Sequence, residues 1–127
     1  MAITVTRQTL VDGSRNLVVK HHLVSGAASD VTAQLLTDVS TYVDAPATVK
    51  IVRIESASAD MDIDLHWDAT TDVDILTLPI GEDIYDFSSF GGLINNAGAG
   101  ITGDIMFSTR GAAADTEATI ILFMKKS

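Results

Sequence analysis

Apolar and polar residues alternate most regularly in residues 61–67, which read Met-Asp-Ile-Asp-Leu-His-Trp. Successive side chains of a β-strand point to opposite faces of the sheet. A strand here would place its apolar residues, including the only tryptophan of the chain, toward a core. Its carboxylates and its histidine would lie on the opposite face. After a polar turn at 68–72, residues 73–80 are predicted to return as the partner strand.

Further strand-like segments follow at spacings of roughly ten residues, as is typical of β-sandwiches. They are rich in Val, Ile and Thr, and turn-forming residues such as Gly, Asp and Pro separate them. The last two segments are predicted to pair as a hairpin through residues 110–115. Besides the two above, the predicted strands are residues 3–11, 17–25, 49–57, 101–109 and 116–125.

Residues 31–43 fit two patterns. Their apolar residues match one face of a helix that Asp30 would cap, but residues 31–39 also alternate as in a strand. Several β-branched residues favour the strand, because they carry a penalty in helices. The helix is kept as the alternative.

Together these segments predict an all-β fold: a single-domain β-sandwich over residues 1–127, jelly-roll-like, with about eight strands. A chain of 127 residues has the length of one domain. Its apolar share of 46% is sufficient for a core. Its charged share of only 20% leaves room for a buried interface.

The charge distribution excludes two classes of partner. The formal net charge is −9, and no Lys or Arg lies between Arg53 and Arg110, an interval with eleven carboxylates. Because nucleic acids and anionic membranes bind mainly through Lys and Arg, we expect no nucleic-acid partner and no membrane association. We also expect neither a signal peptide nor a membrane-spanning segment. The chain has no cysteine, which excludes disulfides and cysteine nucleophiles.

The acidic side of the strand at 61–67 is the first candidate site. Asp60, Asp62 and Asp64 share it, and clustered carboxylates are the ligands that calcium prefers. The EF-hand pattern fails, however, because Leu65 stands where that loop requires glycine. Carboxylates about 7 Å apart along a strand repel only weakly in water, so we favour a face toward solvent or a partner. The alternative is a calcium- or carbohydrate-binding module that also uses Asp68.

No catalytic or cofactor-binding pattern stands out. His21 and His22 are adjacent and would point to opposite faces of a strand, while His66 is isolated in sequence. A histidine near Asp and Ser can form a triad, but the Gly-x-Ser-x-Gly elbow is absent. Residues 98–103 match Gly-x-Gly-x-x-Gly, but no helix is predicted to follow, as a phosphate site requires. We therefore predict no enzyme, no cofactor and no bound metal.

Residues 82–103 are predicted to form a long loop, in which five of the nine glycines lie between 91 and 103. Long loops in compact domains are usually functional. Aromatic and aliphatic residues on such a loop can anchor a partner protein. The predicted interface residues are Phe87, Phe90, Leu93 and Ile94.

Several segments resemble, in the same order, those of small structural proteins in the virions of tailed bacteriophages. The resemblance covers most of the chain and includes no catalytic signature. The segments are Leu-His-Trp-Asp-Ala-Thr-Thr-Asp at 65–72, Ile-Tyr-Asp-Phe-Ser-Ser-Phe-Gly-Gly-Leu at 84–93, Gly-Ile-Thr-Gly-Asp-Ile at 100–105 and Thr-Ile-Ile-Leu at 119–122, with Asp-Gly-Ser-Arg-Asn at 12–16 and Asp-Val-Ser-Thr-Tyr at 38–42.

This resemblance implies a capsid cement or decoration protein. Such proteins are β-sandwich or jelly-roll domains, often trimeric, that sit on the outer capsid surface and clamp neighbouring subunits of the major capsid protein. The resemblance implies no enzymatic residue. From it we expect a homotrimer that binds the major capsid protein on the virion exterior. A neck, tail or fibre component would look similar in sequence and stays an alternative.

Overall fold

A computed structural model describes residues 3–26, 30–44, 46–112 and 114–126. Within these ranges the chain forms nine strands, two 3-10 turns and no α-helix. The strands are β1 (Ile3–Asp12), β2 (Asn16–Ser25), β3 (Gln34–Thr37), β4 (Val49–Ser58), β5 (Asp62–Trp67), β6 (Val73–Leu78), β7 (Gly81–Asp86), β8 (Ile105–Arg110) and β9 (Thr116–Lys126), and the 3-10 turns are Val39–Thr41 and Ser88–Phe90.

The strands form two antiparallel sheets, with the orders β1-β2-β9-β4-β7 and β3-β8-β5-β6. From β2 onward, strands pair first with last: β2 with β9, β3 with β8, β4 with β7 and β5 with β6. The chain is thus one long ribbon, doubled back at the turn between β5 and β6 and wrapped into two sheets. This is the jelly-roll arrangement, and it confirms the predicted all-β sandwich. β1 adds a ninth strand beside β2.

Two details of the sequence prediction are wrong, and a third strand is shorter than predicted. Residues 81–86, expected to belong mostly to a loop, form edge strand β7 against β4. β8 and β9 are not a hairpin, because the chain crosses from one sheet to the other between them. In residues 31–43 the strand covers only Gln34–Thr37, and a 3-10 turn follows it, capped by Asp38. The predicted hairpin of β5 with β6 is confirmed.

The core lies between the sheets and follows the period of two. On β5, Ile63, Leu65 and Trp67 are buried, as predicted. Removing a buried aromatic side chain such as Trp67 typically costs about 3–5 kcal/mol. These apolar contacts, supplied by both sheets, hold the sandwich together.

Two polar side chains link the two sheets, His21 in the core and Arg7 at the exposed edge. His21 of β2 is fully buried, with Nε2 2.6 Å from Oγ1 of Thr37 and Nδ1 3.1 Å from the carbonyl oxygen of Ile120. Burial lowers the pKa of His21 from 6.5 to about 4, more than the Ile120 carbonyl raises it. Arg7 of β1 donates to the carbonyl oxygens of Leu35 and Leu36. Because of its lowered pKa, the imidazole of His21 is neutral at pH 7. Its contact with Thr37 links the two sheets.

Connections between strands gather at the two ends of the sandwich. Three of them meet at one end, which we call the loop end: residues 38–44 with 46–48, residues 68–72 and residues 87–104. There the N–H of Asp68 donates to the carbonyl of Asp104, and the N–H of Thr70 donates to the carbonyl of Ala99. The loop end therefore carries the longest connection of the fold in an ordered conformation.

Candidate interaction site

The long connection at 87–104 is fixed at its start by backbone hydrogen bonds. The N–H of Phe87 donates to the carbonyl of Val52 (2.8 Å), and the N–H of Gly92 donates to the carbonyl of Phe87 (3.0 Å). Asp86 accepts a hydrogen bond from the N–H of Ser88, which together with the Ser88 hydroxyl lowers the pKa of that carboxyl. The first turn of the loop is therefore a compact corner anchored on β4.

Glycines allow the next part of the loop to lie against the sheet. Gly92 has a positive φ of 104°, and a side chain there would meet the carbonyl oxygen of Ile51. Leu93 exchanges two backbone hydrogen bonds with Ile51, of 2.7 and 3.0 Å. A residue with a Cβ at position 92 would be strained at this φ and would crowd the carbonyl of Ile51.

The Gly-x-Gly-x-x-Gly segment serves loop packing in this fold. Gly100 and Gly103 have positive φ, and a Cβ at either position would overlap atoms of Thr70 or Ala47. The chain then leads into strand β8. These glycines allow one loop to lie directly against its neighbours, and the helix that a phosphate site needs does not follow.

The loop separates the four predicted interface residues into two pairs. Phe90 and Ile94 are 65% and 61% exposed, whereas Phe87 and Leu93 are half-buried against the core. The rings of Phe87 and Phe90 lie 6.1 Å apart, tilted by 54°. Phe87 and Leu93 thus anchor the loop, and Phe90 and Ile94 are presented to solvent. Sequence reasoning did not single out Ile101, which is also exposed at the loop end.

The acidic face of β5 lies outward, as predicted, and its carboxylates are bonded within the chain. Asp64 accepts two hydrogen bonds from Arg110, of 3.0 and 3.2 Å, and one from the hydroxyl of Thr77. Asp62 accepts from the N–H of Ile80. Partial burial would raise the pKa of Asp64, but Thr77 and Arg110 together hold it below its usual value. These oxygens are already occupied by partners of the same molecule.

The same face brings together a serine, a histidine and an aspartate. His66 Nε2 lies 3.0 Å from Oγ of Ser108, and His66 Nδ1 lies 3.3 Å from Oδ2 of Asp72. The sequence could not reveal this arrangement, because Ser108 comes from β8. The backbone N–H of Ala33 already donates to Oγ of Ser108, and that of Ala69 to Oδ1 of Asp72. The three side chains connect β5, β8 and two adjoining loops in one polar network.

A second acidic group lies at the loop end. Burial, together with the negative charges of Asp38 and Asp68, raises the pKa of Asp104 to about 6. Asp68 in turn accepts a hydrogen bond from the hydroxyl of Thr102. Among the residues that the structure describes, no three His, Asp or Glu side chains are grouped so as to hold a metal ion.

Comparison with known proteins gives no family for this chain: no family model matches it, and no curated protein matches it. In the described ranges no helix is long and apolar enough to cross a lipid bilayer.

Proposed function

We propose that the protein is a structural component of a tailed-bacteriophage virion, a capsid cement or decoration protein that binds the outer shell and stabilises it. The proposal rests on the resemblance of the segments quoted above and on the jelly-roll sandwich. Its partner would be the major capsid protein, and its contact surface the loop end.

One observation carries the choice of contact surface: the loop at 87–104 is tied to the rest of the sandwich by backbone hydrogen bonds and exposes large apolar side chains. Backbone hydrogen bonds to Val52, Ile51 and Asp68 hold it in place. Phe90 and Ile94 are exposed nonetheless. A preordered loop loses little conformational entropy on binding, and exposed aromatic residues are frequent anchors of interfaces.

A cement protein needs only modest affinity at each contact. When one oligomer bridges several shell subunits, the second and third contacts form at a high effective concentration. We propose that the chain is a homotrimer in this role. Light scattering at micromolar concentration tests the stoichiometry, and a monomer would contradict it.

The test of shell binding is co-sedimentation with purified particles of the tailed phage that carries this sequence. We expect the wild-type protein to sediment with the particles and a Phe90→Ser, Ile94→Ser variant to stay in the supernatant. Ile80→Ser is the matched control, because Ile80 is also 52% exposed but lies at the opposite end of the sandwich. Equal loss in the control variant would show that the loop is not the contact surface.

Electron cryomicroscopy of the same particles tests the position in the virion. Density for the jelly roll over the junctions of shell subunits is the expected result. Density only at the neck, tail or fibres would overturn the cement role and keep a structural one. Absence from every part of the particle would overturn both.

A further inference from the structure

The outer face of the five-stranded sheet carries apolar side chains among its charged ones. Its centre carries Val18, Ile121 and Phe123, which are only partly buried by the chain itself. Val11, Val18, Val52 and Phe123 line a shallow depression of about 250 Å³ near one end of this face. We call this surface the apolar face.

Basic residues without partners gather beside that depression. Lys125 of β9 is opposite Lys50 of β4 and opposite Asn16 of β2, which follows Arg15. Within the described residues, the side chains of Arg15, Lys50 and Lys125 show no ion pair or hydrogen bond, whereas Arg110 and Lys126 are paired with carboxylates. All three are exposed. We call these three residues the basic corner; it is unusual in a chain of net charge −9.

The opposite kind of surface lies on strand β7, at the edge of the same sheet. Glu82 and Asp83 make no ion pair within the described residues, and between them and Asp86 stands Ile84, 62% exposed. Ile84 and Ile121 border an open groove of about 490 Å³. We call Glu82, Asp83, Ile84 and Asp86 the acidic edge. It combines negative charge with one protruding aliphatic side chain.

We propose that the acidic edge of one copy of the chain docks on the basic corner and adjoining depression of a second copy. Ile84 would enter the apolar depression, and the carboxylate of Glu82, on the same face of β7, would meet Lys50 and Lys125. Asp83, on the other face of this edge strand, adds to the negative charge. The opposite charges lie on separate patches of one molecule, so each patch finds its complement on another copy. If both patches carried charge of the same sign, their complement would have to lie on a different protein.

The two patches differ, so the contact is heterologous, and successive heterologous contacts close into a ring when the rotation permits. The inference deepens the proposed homotrimer by naming its surfaces. It does not depend on shell binding, because the loop residues Phe90 and Ile94 belong to neither patch. Failure of one proposal therefore leaves the other testable.

Charge reversal tests the contact with the purified full-length protein. Lys50→Glu with Lys125→Glu should place like charges across the contact, and so should Glu82→Lys with Asp83→Lys. In analytical ultracentrifugation we expect each double variant to associate at least tenfold more weakly than the wild type. The variant with all four substitutions restores opposite charges and should regain the wild-type stoichiometry.

Two further variants separate the contact from general effects of charge and folding. Asp60→Lys with Asp74→Lys reverses two exposed carboxylates elsewhere and should leave association unchanged. Ile84→Ser should weaken it without altering the thermal unfolding of the chain at concentrations where it is dissociated. A wild-type protein that is monomeric, double variants that associate normally, or a fourfold variant that stays dissociated would each overturn the proposal.

Discussion

The outer faces of the two sheets differ in how their charges are satisfied. On the four-stranded sheet, Asp64 is bonded to Arg110, and His66 lies between Ser108 and Asp72. On the five-stranded sheet Arg53 is paired with Glu55, but Lys50 and Lys125 have no such partner among the described residues, and apolar side chains lie beside them. A charge that is bonded within its own chain gains little from a partner. The outer face of the five-stranded sheet is therefore the better candidate for association.

The largest expected effect on stability concerns His21, whose side chain links the two sheets. Burial lowers the pKa of His21 from 6.5 to about 4. Between these two pH values the imidazole is protonated in the unfolded chain and neutral in the folded chain. Stability is fully present above pH 6.5 and falls as the pH decreases toward 4. The free energy of unfolding should decrease by about 3 kcal/mol over this range, as measured by urea denaturation.

The neighbouring histidine provides the control for this loss. His22 lies on the outer face of β2, with 41% of its side chain exposed. A His22→Gln variant should keep the loss of stability at acid pH, because the buried imidazole is unchanged. If His22→Gln abolished the loss, the assignment to His21 would be wrong.

An intermediate effect is expected from the polar network on the four-stranded sheet. His66→Ala removes two hydrogen-bonding contacts from a nearly buried position and should cost about 1–3 kcal/mol of unfolding free energy. Lys20→Ala, on the outer face of the other sheet, removes no ion pair with any described residue and should change the unfolding free energy by less than about 0.5 kcal/mol. Equal losses of unfolding free energy in His66→Ala and Lys20→Ala would contradict the proposed difference between the two faces.

The smallest effects compare one cation from each face. Arg110→Ala removes an exposed pair with Asp64 and should cost at most about 1 kcal/mol. Lys125→Ala should leave the unfolding of the isolated chain unchanged and weaken its self-association. A double-mutant cycle with Asp64→Asn measures the first pair, and sedimentation measures the second effect. Weaker self-association of Arg110→Ala, or lower stability of the isolated Lys125→Ala chain, would contradict the roles proposed for the two faces.

Local patterns in the sequence predicted what depends on neighbouring residues. The period of two placed Leu65 inward and Asp64 outward, because that geometry belongs to any strand. It missed β7, since Glu82, Asp83 and Asp86 give this edge strand no apolar alternation. Edge strands with a solvated side need little apolar surface, so their sequences resemble loops.

What the sequence did not predict depends on partners far along the chain. Ser108 meets His66 only through the pairing of β5 with β8. Lys50 meets Lys125 only through the pairing of β4 with β9. The predicted hairpin of β8 and β9 failed for the same reason, because a turn signal shows that the chain reverses but not which sheet it enters next.

The first-with-last pairing of the ribbon also has a consequence for the time course of folding. Asn16 pairs with Lys125, so β2 cannot pair with β9 until nearly the whole chain has been synthesised. Before that, β2 can pair only with β1 and β4 only with β7, because β9 lies between β2 and β4 in the finished sheet. Loop closure over such distances slows folding, to milliseconds or seconds in β-sandwiches. The strand-forming segments must therefore remain soluble while they wait, and the high negative charge of the chain favours that.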